Sequence, residues 1–148
     1  MLSILLTLSA FPGFLGFGPN ISILDVTNRF GNPITLDQSD DKRIQSFTYS
    51  RESYLLTAIS DKNSKVVTLQ AYGLNKSVKY RNVGLMSDFK SVIKNFGNPQ
   101  KYFFNDNGFD IVYPDCVFTL VKIGRKNYHQ VVGISVSMNK EPAQSKKK

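Results

Sequence analysis

The tetrapeptide Phe-Gly-Asn-Pro occurs twice, at residues 30–33 and again at 96–99, and its context repeats with it. At the same upstream offset Gly18 matches Gly84, Ile23 matches Phe89, Val26 matches Val92 and Thr27 matches Ile93. Downstream, with a slip of one or two residues, Tyr49 answers Tyr113, and Val66-Val67 answers Val131-Val132. The chain therefore reads as a tandem duplication of one supersecondary unit, a constraint on architecture rather than on chemistry.

Each unit opens on a short amphipathic run. Ile23, Val26, Thr27 and Phe30 fall at i, i+3, i+4 and i+7, as do Phe89, Val92, Ile93 and Phe96, so each run presents one mostly apolar helical face. Gly31 and Gly97 then stand where a left-handed residue ends a helix, and Pro33 and Pro99 prevent its resumption. Ser22 or Asn20 is the expected cap of the first helix and Ser87 of the second. The doubled motif is thus a pair of helix stops.

Strands follow each stop. In the second unit residues 101–104 and 109–113 flank Asn107-Gly108, a hairpin pattern in which Phe109, Ile111 and Tyr113 share one face. Residues 117–123 and 131–138 give two more strands around a turn at 124–127, with Val132, Ile134, Val136 and Met138 expected to face inward. The first unit offers strands at 47–49, 54–59 and 65–72, a turn at 61–64, and a polar loop at 37–42 that obscures its first hairpin. Residues 73–82 link the units. The expected class is α+β: two tandem helix-plus-antiparallel-meander repeats, about 14–73 and 83–138, with helices packed on one face of a sheet and the other face open. At 148 residues with 41% hydrophobic content, residues 13–139 suit a single domain in which the repeats share one core.

A glycine, a short helix, an F-G-x-P stop and a meander ending in a Val-Val-x-Ile-like strand resemble the unit of the SmpA/OmlA (BamE-like) and beta-lactamase-inhibitor-protein-like superfamily. The resemblance covers residues 14–138. It implies a secreted or envelope protein that binds other proteins through an exposed sheet face and loops, without catalysis. The chain departs from the lipoprotein branch in lacking an acylated Cys, and from the inhibitor branch in lacking paired cysteines.

The ends are of different character. Residues 1–12 begin with an uncharged apolar run too short to span a bilayer and read as a signal-like segment, though one without a positive n-region; the alternative is an extra element packed on the core. Residues 140–148 form a basic tail whose composition predicts disorder. The localisation expected is extracytoplasmic, secreted or periplasmic, with a cytoplasmic one as the alternative.

Charge and chemistry narrow the function further. The net charge of +8 is scattered, without the basic stripe or aromatic-basic motif of a nucleic-acid binder, so nucleic acid is not an expected partner. An anionic membrane or cell-wall surface is the alternative to a protein partner. His129 is the one histidine and Cys116 the one cysteine, so no triad, zinc cluster or disulfide framework is in view. The segment 105–108 lacks the bidentate Glu of a calcium loop. No cofactor, metal or catalytic residue is assigned, and a small enzyme ranks third. The candidates for partner contact are aromatics whose large area and polar handle suit docking: Tyr72, which alternates outward from Val67, Leu69 and Ala71, the pair Tyr102 and Phe104, which share a face opposite Phe103, and Tyr54, which opens a strand apolar on both faces.

Overall fold

The computed structural model describes residues 13–138; the signal-like segment and the basic tail lie outside the described residues. In chain order the elements are α1 (Ile23–Phe30), β1 (Thr35–Gln38), β2 (Gln45–Arg51), β3 (Tyr54–Ser60), β4 (Val66–Gly73), β5 (Lys79–Tyr80), β6 (Val83–Gly84), α2 (Phe89–Phe96), β7 (Lys101–Phe104), β8 (Gly108–Val112), β9 (Cys116–Lys122) and β10 (His129–Ser137). Eight of the strands form one antiparallel sheet in the order β1-β2-β3-β4-β10-β9-β8-β7, while β5 and β6 pair separately.

This corrects the expected architecture. The molecule is one continuous eight-stranded sheet with two short helices, not two tandem helix-plus-meander repeats. The physical reason is the seam: β4 and β10 pair over Gly133↔Tyr72 to Ser137↔Thr68, so backbone hydrogen bonding runs through the middle of the sheet without a break. Two-turn helices bury little area of their own, and the strands set the shape.

The helices form and stop as local chemistry dictates. Ser22 caps α1 in a capping box: its hydroxyl accepts from the Asp25 N–H at 3.3 Å, and the Asp25 carboxylate accepts from the Ser22 N–H at 2.9 Å. Asp88, not Ser87, caps α2, accepting from the Ser91 N–H at 2.9 Å. Ser87 instead accepts from the Gly84 N–H at 3.1 Å, which braces the turn before the helix. Gly31 and Gly97 end the helices at φ 83°, ψ −167° and φ 77°, ψ −158°, and their N–H groups close on Thr27 and Ile93 carbonyls, each at 2.8 Å. The positive φ was anticipated, but the extended ψ places both outside the left-handed helical basin, in a region open essentially to glycine alone.

Both helices lie against one face of the sheet. Val26 and Val92 are fully buried there among Tyr49, Leu56, Leu69, Ile111, Phe118 and Ile134. Tyr49 meets Thr27 hydroxyl to hydroxyl at 2.9 Å, and Phe96 packs on Tyr113 and Phe118, each with ring centroids 5.0 Å apart. In the space between, Phe14 lies edge-on to Tyr80 at 5.9 Å. The Tyr80 hydroxyl donates to the Asp115 carboxylate at 2.6 Å, and Arg81 pairs with the same carboxylate at 3.4 Å.

A β-bulge changes which side chains of β10 reach this core. The register with β9 slips between Val131 and Gly133, so Val131 is fully buried and Val132 only half-buried. Simple alternation assigns Val132 inward; the extra residue reverses the parity ahead of it. Ile134, Val136 and Met138 are buried as alternation requires.

At the centre of the opposite face uncharged polar groups line up. Thr48, Thr57, Gln70 and Ser135 stand side by side on β2, β3, β4 and β10. They bond to one another, Thr48 to Thr57 at 3.2 Å and Gln70 to Ser135 at 3.4 Å. Aromatic side chains are sparse on this face, and their concentration lies elsewhere.

Candidate functional site

The four predicted contact residues do not converge. Tyr54 opens β3 on the helix-covered side, half-buried and packed against the core. Burial raises its hydroxyl pKa, against a smaller lowering by Arg51. It is a packing residue. Tyr72 does lie on the opposite face, 42% exposed beside Leu55, with its ring lying across Gly133.

Tyr102 and Phe104 come together. Their rings stack at 6.0 Å and 23° on β7, and they are 39% and 76% exposed. The register Tyr102↔Ile111 and Phe104↔Phe109 puts them on the helix side of the sheet, at its margin, and not on the open face. α2 is too short to reach over the last strand, so the rings that would otherwise be capped are left in solvent.

Around this pair an aromatic cluster assembles from four elements. Phe89 at the start of α2 lies 6.4 Å from Tyr102 and 5.8 Å from Phe109. Phe104 is 5.6 Å from Phe109, whose ring meets His129 at 5.0 Å. Phe109 is half-buried, packed against the core on the face it shares with Ile111, and it forms the floor of the exposed group. On the other side of β7, Phe103 is 54% exposed, with the Lys101 ammonium 5.2 Å from its ring centroid. A concavity of ≈ 350 Å³ adjoins the cluster, lined by Phe104 and Phe109 together with Asp106, Asn107, Lys122 and His129.

Sequence reasoning missed Phe89, Phe103 and His129 as members of this surface. One signal was available: Tyr102, Phe103 and Phe104 are consecutive, and on a strand three consecutive large apolar residues must expose at least one unless both faces are covered.

β7 is also an edge of the sheet, with no strand on its outer side among the described residues. Its register with β8, together with the Asn105 N–H donating to the Gly108 carbonyl at 2.9 Å, makes 101, 103 and 105 the inward-bonded positions. Antiparallel alternation then directs the backbone N–H and C=O of Tyr102 and Phe104 outward. The other edge, β1, carries Thr35, Leu36, Asp37 and Gln38, a polar strand of the kind that discourages pairing.

The arrangement offers aromatic contact area. Among the described residues no group of three or more His, Cys, Asp or Glu side chains could hold a metal ion, and His129 faces a phenyl ring. Cys116 is buried at the start of β9. No described helix is long and apolar enough to cross a membrane.

No protein-family model and no curated protein matches the sequence. Solved structures do resemble the fold. A cysteine-rich secretory protein from Staphylococcus aureus superposes with a TM-score of 0.59 at 13% identity, over 86% of this chain and 47% of its own. An extracellular protein containing a SCP domain from Bacillus anthracis gives 0.58 at 13%, over 84% and 45%. The chain thus spans about half the length of these two. A DUF4309 family protein from Bacillus subtilis gives 0.51 at 16% identity, over 87% of this chain and 88% of its own. At such identities the likeness is one of fold.

Proposed function

We propose that the chain is an extracytoplasmic, non-catalytic protein-binding module, and that its contact surface is the aromatic edge of β7 with the adjoining loops rather than the broad open face of the sheet. The observation that carries this reading is the solvent-facing cluster of Tyr102, Phe104, Phe89 and Phe109. Clustered aromatics with a polar rim are what a docking surface uses, since buried rings contribute most of the binding energy per residue. Two structural neighbours are described as secretory or extracellular proteins, which supports the compartment.

Site-specific photo-cross-linking tests the reading. With benzoylphenylalanine at Phe104, the purified chain should form an adduct with a protein of the cell-surface fraction. Excess unlabelled chain should compete for that adduct, while the Tyr102→Asp/Phe104→Asp double variant should not. Equal competition by both, or adducts only from a probe at Thr57 on the open face, overturns the aromatic edge. Mass spectrometry of the native amino terminus tests the compartment: a start near Phe11 supports export, and an intact Met1 in the cytosol overturns it.

Charge supports a second reading, binding to an anionic surface. Residues 13–73 hold six Lys or Arg against six Asp or Glu, whereas residues 74–138 hold nine against four. Lys76 and Lys79 line a concavity of ≈ 340 Å³ in the second half. Association with anionic vesicles that disappears with rising salt, and is indifferent to Phe104, favours this reading over the first.

A further inference from the structure

We infer that β7 accepts an extended, acidic peptide segment of a partner protein as a ninth strand of the sheet. The inference rests on the protein-binding reading above and specifies its mode and the partner's chemistry.

Three observations converge on one edge. The backbone groups of Tyr102 and Phe104 point away from β8, so an incoming chain can bond to both residues. Main-chain pairing to an exposed edge supplies affinity, and side-chain contacts at alternate positions supply selectivity. The side chains flanking that edge are apolar on both faces, Tyr102 and Phe104 on one and Phe103 on the other. Residues of an added strand opposite Tyr102, Phe103 and Phe104 would therefore meet an aromatic ring on either face. The opposite edge acts as an internal comparison: β1 has the same length and the same terminal position in the sheet, yet carries Asp37 and no aromatic residue.

Charge selects the partner. Lys101 lies on β7 itself, Lys122 lines the adjoining concavity, and Arg125 and Lys126 occupy the β9–β10 turn next to His129. Lys90 follows Phe89 on the exposed side of α2. Against these five stand three carboxylates: Asp88, which caps α2 beside Phe89, Asp106, exposed in the β7–β8 turn, and Asp110 on β8, which accepts from the Thr119 hydroxyl at 2.7 Å. The field at this end of the sheet is positive, so it draws an acidic segment and repels a basic one.

The test uses the full chain and a synthetic acidic strand, acetyl-Glu-Trp-Glu-Val-Glu-Phe-Glu-amide. The protein contains no Trp, so Trp emission reads the peptide alone. Binding is expected, with weakening of roughly thirtyfold in Phe104→Asp and no change in the β1 variant Leu36→Asp. The Lys-for-Glu peptide should not bind. Two further peptides, N-methylated on odd or on even residues, separate strand addition from side-chain docking: one set must abolish binding and the other leave it intact. Independently of any variant, hydrogen exchange should show the Tyr102 and Phe104 amides open in the dilute free chain and protected in the complex.

Failure of the acidic peptide to bind, equal behaviour of the two N-methylated sets, or protection at β1 overturns the inference. So does protection of the β7 amides in the concentrated protein alone, which would make a second copy the occupant, or inorganic polyphosphate displacing the peptide from a Phe104-independent site. If these fail while the Phe104 cross-link persists, protein binding stands and strand addition falls; if the cross-link fails as well, both fall.

Discussion

The Tyr113 hydroxyl donates to the carbonyl of Gly97 at 2.8 Å, joining the end of β8 to the residue that stops α2. The bond holds a helix too short to persist alone and satisfies one of the carbonyls that every helix end leaves unpaired. Replacing Tyr113 by Phe removes the donor and leaves that carbonyl without this partner. A loss of about 1 kcal/mol is expected, read as a lower denaturation midpoint with an unchanged denaturant slope.

The same tyrosine predicts alkaline behaviour. Burial, with smaller contributions from Tyr102 and Cys116, pushes the Tyr113 hydroxyl from its ordinary 10.0 up to about 12. The fold therefore favours the neutral form. Its contribution is complete below pH 10 and is lost as pH rises through about 12. Tyr113→Phe should flatten the fall of stability across that window in denaturation curves taken at successive pH values; an unchanged slope would show that Tyr113 ionisation is not linked to unfolding.

Gly97 and Gly31 predict an inversion of the usual chirality effect. Neither has a heavy atom within 4 Å of where a Cβ would stand, so the restriction is conformational. At φ 77°, ψ −158° an L-residue is strained by about 1–3 kcal/mol. The mirror image of those angles is ordinary extended backbone, so Gly97→D-Ala, introduced by ligation, should match or exceed the parent, by up to about 1 kcal/mol through reduced unfolded-state entropy. Destabilisation by both enantiomers would mean that an unseen contact, not the dihedrals, requires glycine.

Tyr72 and Gly133 should behave as one unit. A Cβ at Gly133 would overlap the Tyr72 ring on the paired strand, so Gly133→Ala displaces the ring. In the background Tyr72→Ala the same change no longer meets that ring. A double-mutant cycle should yield a coupling of about 0.5–3 kcal/mol; additivity within error would remove the pair.

Ser60 offers a substitution in the stabilising direction. It is fully buried beside the β3–β4 bulge, and its hydroxyl oxygen has no hydrogen-bond partner. Buried hydroxyls left unsatisfied cost free energy that an alanine does not. Ser60→Ala should raise the melting temperature, and a fall would point to a partner for that hydroxyl in solution.

Both helices and most hairpins were legible because their determinants are local: a 3.6-residue apolar period, a glycine stop, a turn between alternating strands. The pairing of β4 with β10 was not, since nothing local to residues 66–73 specifies a strand some 60 positions later. Its absence from the reading turned a continuous sheet into two units. β1 was lost within a polar stretch because both its faces are exposed and it shows no alternation. Val132 was misassigned because a bulge has no residue signature of its own here. That Tyr102 and Phe104 share a face opposite Phe103 follows from strand alternation, but that this face is the helix side, left uncovered at its margin, depends on the reach of α2, a tertiary property.

The placement of β10 has a consequence for how the molecule comes into being. It is the last strand of the sheet to be synthesised, yet it occupies the centre, bonded to β4 on one side and β9 on the other. Until it emerges, the nascent chain holds two four- and three-stranded pieces with unsatisfied inner edges, and no order of local events can close them. A sheet built this way becomes a single body only once residues 129–137 are available to bridge its two halves.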